Sequence, residues 1–184
     1  MSAPPHVLVL PWPMQGHIVP LMHLSHVLAD NGFKITFVNT EDNHNRIVSA
    51  GTHADRFHMI SIPDGLGPEE QRFGPRLVDA IEYNLPSQLE NLIRKINKEG
   101  NEKITFLIVD GAMGWAVEVA ERLGLRSVVF SPHSATFLAI VLIFQSSGKL
   151  AWLTKTVRQN FLSLLSVGQN LELETFTICI INRL

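Results

Sequence analysis

Short apolar runs alternate along the chain with longer stretches in which apolar residues recur every three or four positions. His6–Leu10 (His-Val-Leu-Val-Leu) reads as a buried strand. After it, Leu21, Leu24, Val27 and Leu28 recur at helical spacing, which predicts a helix over His17–Asp30 closed by Asn31-Gly32. Lys34–Asn39 is rich in β-formers and predicts a second strand. Thr40 is expected to cap a short helix from Glu41 to Ala50, ended by Gly51, with Glu41 and Asp42 suiting the dipole of its first turn. Phe57–Ile62 predicts a third strand, and Pro63–Pro68 a turn-rich loop. A long helical pattern then runs from Pro75 to Lys98, with Leu77, Ile81, Leu85, Leu89, Leu92, Ile93 and Ile96 on one face. Pro86 should kink or break it. Ile104–Val109 predicts a fourth strand that ends at Asp110. Trp115, Val119 and Leu123 mark a helix closed by Gly124, and Ser127–Phe130 a fifth strand. Ser134 is expected to cap a further helix from Ala135.

Strands alternating with helices imply right-handed crossovers and a mostly parallel sheet, so the fold class is α/β. Both faces of such a sheet are covered, which accounts for the nearly continuous apolar strands. The pattern lapses after about Phe144. Residues 145–184 carry scattered serines and no strand–helix alternation, so they read as a divergent tail. Within them Leu171–Ile181 has strand character but no obvious partner.

With 184 residues, 46% of them hydrophobic, the chain can bury a sizeable core. A net charge of −2 offers no basic patch, so no nucleic-acid partner is expected. The single cysteine, Cys179, excludes an internal disulfide framework. The start lacks a basic segment before its apolar run, which Pro11 and Pro13 interrupt, so a secretory signal is not expected. The longest apolar run, Ala135–Phe144, falls well short of the roughly 20 residues that span a bilayer. The expectation is a chain without a membrane span, in the cytoplasm.

The chemistry concentrates where the first strand ends. In Pro11-Trp-Pro-Met-Gln-Gly-His17-Ile-Val-Pro20 a histidine sits between a strand and a helix. In an open α/β sheet that is the carboxyl edge, where ligands bind. The helix start adds unpaired N–H groups and a partial positive charge. A neutral imidazole there can serve as a general base, or it can simply hydrogen-bond locally. Asp110 ends an apolar strand at the same edge, where its carboxylate can hold the imidazole in one tautomer. Its alternative is a cap for the helix that follows, and the two roles are compatible. A Gly-x-Ser-x-Gly elbow is missing, and the first strand is followed by the lone Gly16 instead of a three-glycine fingerprint. That argues against a hydrolase and against NAD or ATP. The spacing of His17, His23 and His26 fits no metal-ligand pattern, so no metal is expected. Asp42-Asn43-His44-Asn45 reads as a solvated helix start.

Pro13-Met-Gln-Gly-His-Ile-Val-Pro20 resembles the start of the plant UDP-sugar-dependent glycosyltransferases of family 1, which have the GT-B fold. Four further segments agree in order: Lys34–Thr40, Ile62–Leu66, Phe106–Asp110 with Trp115, and Phe130–Ala135. The similarity covers about residues 6–144 and is nearest to the 83A-type subgroup. It implies the N-terminal half of a GT-B fold, a Rossmann-like parallel sheet with flanking helices, holding a small-molecule acceptor. His17 matches the catalytic base that deprotonates an acceptor hydroxyl, and Asp110 its partner. The oxygen then attacks the anomeric carbon of a UDP-sugar, with UDP-glucose the expected donor, and configuration inverts without metal or cofactor. Gly16, Ser131 and Ser134 are implied as donor contacts. Trp12, Met14, Gly111 and Met113 are implied as lining the acceptor cleft, although Trp12 and Met113 read equally as core. The family's second, donor-binding domain has no counterpart in this sequence. Residues 1–144 are thus expected to form the acceptor domain and 145–184 an aberrant tail. The alternative is a truncated non-catalytic remnant, or a small-molecule-binding module without donor binding.

Overall fold

In the computed structural model, residues 4–49, 56–100 and 103–132 are described, together with the backbone of 177–181. The strands are β1 (His6–Leu10), β2 (Lys34–Thr40), β3 (His58–Ile62), β4 (Ile104–Asp110), β5 (Arg126–Ser131) and β6 (Thr177–Ile181). The helices are α1 (Gln15–Asp30), α2 (Glu41–Ser49), α3 (Gly74–Tyr83), α4 (Leu85–Glu99) and α5 (Gly114–Arg122). One sheet runs in the order β3-β2-β1-β4-β5-β6. The first five strands are parallel, and β6 pairs antiparallel with β5.

Every residue of β1 is buried. Leu8 and Leu10 face one core with Leu107 and Val109 of β4, covered by Leu77 and Ile81 of α3, Leu85, Leu89 and Ile93 of α4, and Val119 of α5. Val7 and Val9 face the other with Phe37 and Phe130, covered by Ile18, Leu21 and Met22 of α1. The result is the helix–sheet–helix sandwich that the unbroken apolar strands imply. Its central seam is β1 against β4, with Leu10 opposite Val109. That register brings the loop after β1 beside the end of β4.

The outcome differs from the sequence pattern at three places. Helix α1 starts at Gln15, so His17 lies inside its first turn, and Val27 faces solvent. The long helical pattern is two helices that break at Asn84, and Pro86 lies in the first turn of α4. Proline is tolerated there because first-turn N–H groups lack helical partners in any case. The strand character of Leu171–Ile181 is realised over Thr177–Ile181, and its partner is β5. The expected end of the second helix at Ala50-Gly51 and the helix capped by Ser134 lie outside the described residues. The stop after α1 is as the sequence predicts: Gly32 takes φ +83°, and the Phe33 N–H returns to the Leu28 carbonyl at 3.1 Å.

Candidate functional site

The site lies at the carboxyl edge of the β1–β4 seam. Pro11 to Met14 link β1 to α1, and the turn is tight: the Met14 N–H donates to the Trp12 carbonyl at 2.7 Å. The His17 and Ile18 N–H groups then both donate to the Met14 carbonyl, at 2.9 and 3.0 Å. These bonds put the imidazole over the end of β4. There His17 Nδ1 meets Asp110 Oδ2 at 2.8 Å. Asp110 is fully buried, whereas the His17 side chain is 18% exposed.

Asp110 serves two partners through its carboxylate, one on each oxygen. Its Oδ1 accepts the Ala112 N–H at 2.9 Å, and its carbonyl accepts the Met113 N–H at 2.9 Å, which shapes the turn into α5. Its Oδ2 is left for the histidine. The cap position of α5 itself belongs to Met113, not to Asp110. An ionised carboxylate is acceptor-only, so the proton of the shared bond sits on Nδ1. The other ring nitrogen of the neutral imidazole, Nε2, is then the basic one. The pair can therefore take a proton through Nε2 and stabilise the resulting imidazolium from the buried side.

The remaining expected site residues fall into three groups. Gly16 is exposed in the first turn of α1, with open space where a Cβ would stand. Met14 is half exposed, and Trp12 packs partly against the core. Gly111 lies against the end of β5, its N–H donating to the Phe130 carbonyl at 2.8 Å, and Ser131 ends β5 and is buried. Met113 is fully buried and packs in the core on the α4 and α5 side of the sheet. Ser134 lies outside the described residues. Among the described residues there is no group of three metal-ligating side chains, and no helix is long and apolar enough to cross a membrane. His23 is exposed, and His26 packs on the Phe57 ring at 4.9 Å.

Two features of this edge escaped the sequence reading. Asn43, read as part of a solvated helix start, is partly buried: its Nδ2 donates to the Pro13 carbonyl at 2.9 Å and to Thr40 Oγ1 at 3.2 Å. Arg72 folds the loop after β3 by donating to Asp64 Oδ2 at 3.1 Å and to the Glu70 carbonyl at 3.1 Å. Nearby, the Gly67 N–H donates to Glu70 and, with Arg76 beside it, holds that carboxyl below the usual carboxylate range. The Pro63–Pro68 turn signal marked this loop, but no sequence spacing pointed to Arg72.

The family model described as "Glycosyltransferase, N-terminal domain" matches residues 5–169. The chain belongs to this glycosyltransferase family. The match extends past Phe144, into residues whose pattern alone reads as a tail. UDP-glycosyltransferase 83A1 of Arabidopsis thaliana is 39% identical over 147 residues, 74% of this chain and 32% of that protein. The (R)-mandelonitrile beta-glucosyltransferase of Prunus dulcis is 36% identical over 140 residues, 71% of this chain and 29% of that protein. This glycosyltransferase chain thus spans about a third of the length of the curated relatives it matches. Among solved structures, Arabidopsis thaliana UGT89C1 complexed with UDP-L-rhamnose superposes with a TM-score of 0.65 at 20% identity. That overlap covers 83% of this chain and 42% of UGT89C1, and it shows the shared GT-B-type fold.

Proposed function

We propose that this chain is the acceptor-binding part of a UDP-sugar-dependent glycosyltransferase that moves glucose to a hydroxyl of a small plant metabolite, with inversion. The observation that carries the reading is the 2.8 Å contact between His17 Nδ1 and the buried Asp110 carboxylate at the sheet edge. In this reading His17 Nε2 takes the proton of the acceptor hydroxyl. The acceptor oxygen bonds to the anomeric carbon as that carbon's bond to the UDP phosphate oxygen breaks. Asp110 stabilises the imidazolium until the proton passes to solvent. In this reading the proton acceptor is a side chain, and no metal or cofactor takes part in the step.

Family membership over residues 5–169 supports this reading, as do relatives whose names specify UDP-glycosyl and glucosyl transfer. Met14, Gly111 and Trp12 are the residues we assign to the acceptor side, and Gly16 and Ser131 to the side facing the donor sugar. The donor nucleotide is assigned to the part of the relatives' length that this chain's match does not cover. The location we propose is the cytoplasm.

The test is transfer from UDP-glucose by the chain extended to the length of its relatives, with and without His17→Ala. Loss of a general base lowers turnover by roughly 10²–10⁴-fold. The α-linked donor should give a β-linked product, and UDP-glucose binding should survive the substitution. Unchanged turnover, or an α-linked product, would overturn the assignment.

A further inference from the structure

We propose that Asn43 is a positioning residue for His17, acting as a clamp on the loop between β1 and α1. The start of α1 does little to fix itself. Its cap residue, Met14, makes no side-chain cap bond, and its first turn holds no acidic residue. A helix start of that kind is held by what lies around it. Part of the hold is the packing of Trp12 on the core. The directional part is Asn43, whose amide donates to the Pro13 carbonyl at 2.9 Å, four residues before the histidine.

The clamp has a rigid anchor. The second contact of the same amide, at 3.2 Å, is Thr40 Oγ1. Thr40 is the buried last residue of β2 and lies in register with Ile62 of β3. The first turn of α2 is further braced by Asp42, which pairs with Arg46 at 3.1 Å and lies 3.9 Å from Arg72, itself bound to Asp64. Asn43 therefore ties the loop to the end of β2, an interior strand, across 30 residues of sequence. The chemistry at this point is specific. A carbonyl oxygen needs a donor, and a short amide supplies N–H groups to it and to the hydroxyl together. A carboxylate of the same size supplies none.

The proposal concerns how His17 is held and rests on the proposed function only for why that matters. The test uses the ¹⁵N-labelled 184-residue chain with no sugar donor or acceptor, so failure of the transfer reading leaves its outcome untouched. Asn43→Asp removes the donors at constant size and suits the positive end of α2, and Asn43→Ala serves as the second variant. Losing one such hydrogen bond should speed amide exchange at His17 and Ile18 by about tenfold, with Leu8 and Ile108 unchanged. The His17 ring ¹⁵N shifts should move from one tautomer toward the average of two. Unchanged protection at His17 and Ile18 would overturn the proposal. So would an equal loss at Leu8 and Ile108, or failure of both variants to fold, because each makes Asn43 a general stability residue.

Discussion

Asp110→Asn separates the two tasks of one buried side chain. The substitution keeps an oxygen for the Ala112 N–H, now 2.9 Å from Oδ1, and replaces Oδ2 with an NH₂ group facing His17 Nδ1, 2.8 Å away. Two donors cannot share that contact. Either the bond is lost or the imidazole moves its proton to Nε2 so that Nδ1 accepts. A hydrogen bond to a charged group contributes about 1.5–3 kcal/mol and a neutral one about 0.5–1.5 kcal/mol, so the exchange costs roughly 1–2 kcal/mol of stability. A domain of this size survives that loss. The catalytic consequence is larger, because Nε2 then carries a proton and cannot take one. Turnover in the extended chain should drop by roughly 10²–10⁴-fold. The direct assay is the two-bond ¹H–¹⁵N spectrum of the imidazole, which distinguishes Nδ1–H from Nε2–H. If the variant folds and the Nδ1–H tautomer persists, Asp110 does not set the tautomer and the reasoning fails. If the variant unfolds, the turn into α5 is the dominant task of this carboxylate.

Two further outcomes test the surroundings of the site. Gly65 has φ +82°, and a Cβ there would stand 2.4 Å from Asn84 Nδ2, which itself donates to the Asp64 carbonyl. Gly65→Ala should therefore lower stability by about 1–3 kcal/mol, read from the denaturation midpoint; a smaller change would show that the loop adapts freely. Glu90 accepts from Arg94 at 2.8 Å and, across to α5, from Arg122 at 3.1 Å. These bonds, that from Arg94 foremost, hold its carboxyl below the usual carboxylate range. A lowered folded-state value means that the contribution is complete above the unfolded value of about 4.3 and is lost as pH falls through the folded one. The small stability advantage over Glu90→Gln should thus be present at neutral pH and vanish in acid. An advantage independent of pH would refute the ion-pair account.

The sequence was most legible where one physical cause dominates. Strands buried on both faces read as apolar runs, so β1, β4 and β5 fall within one residue of their expected bounds at either end. The pairing of His17 with Asp110 was readable because Asp110 ends β4 and His17 opens the helix that follows the end of β1, and a parallel sheet gathers all such ends on one edge. The break at Asn84 was displaced from Pro86 because proline is an acceptable first-turn residue and marks a helix start as readily as a stop. Asn43 was illegible. A polar cluster at a helix start looks solvated, and only the packing of α2 beside the first loop turns one of its amides inward. The burial of Met113 is similar: an apolar residue next to a site fits a cleft wall and a core equally until α5 is docked.

The connectivity of the sheet also predicts an order for the folding reaction. Strands β1, β2 and β3 are joined by short crossovers, as are β4 and β5, so each set can pair locally. The seam between β1 and β4 joins the ends of a much longer chain segment, so it is expected to close after the local pairings. His17 and Asp110, 93 residues apart, sit on opposite sides of that seam. The imidazole–carboxylate contact cannot exist in either half alone. Its appearance during refolding would time the moment at which the two halves join.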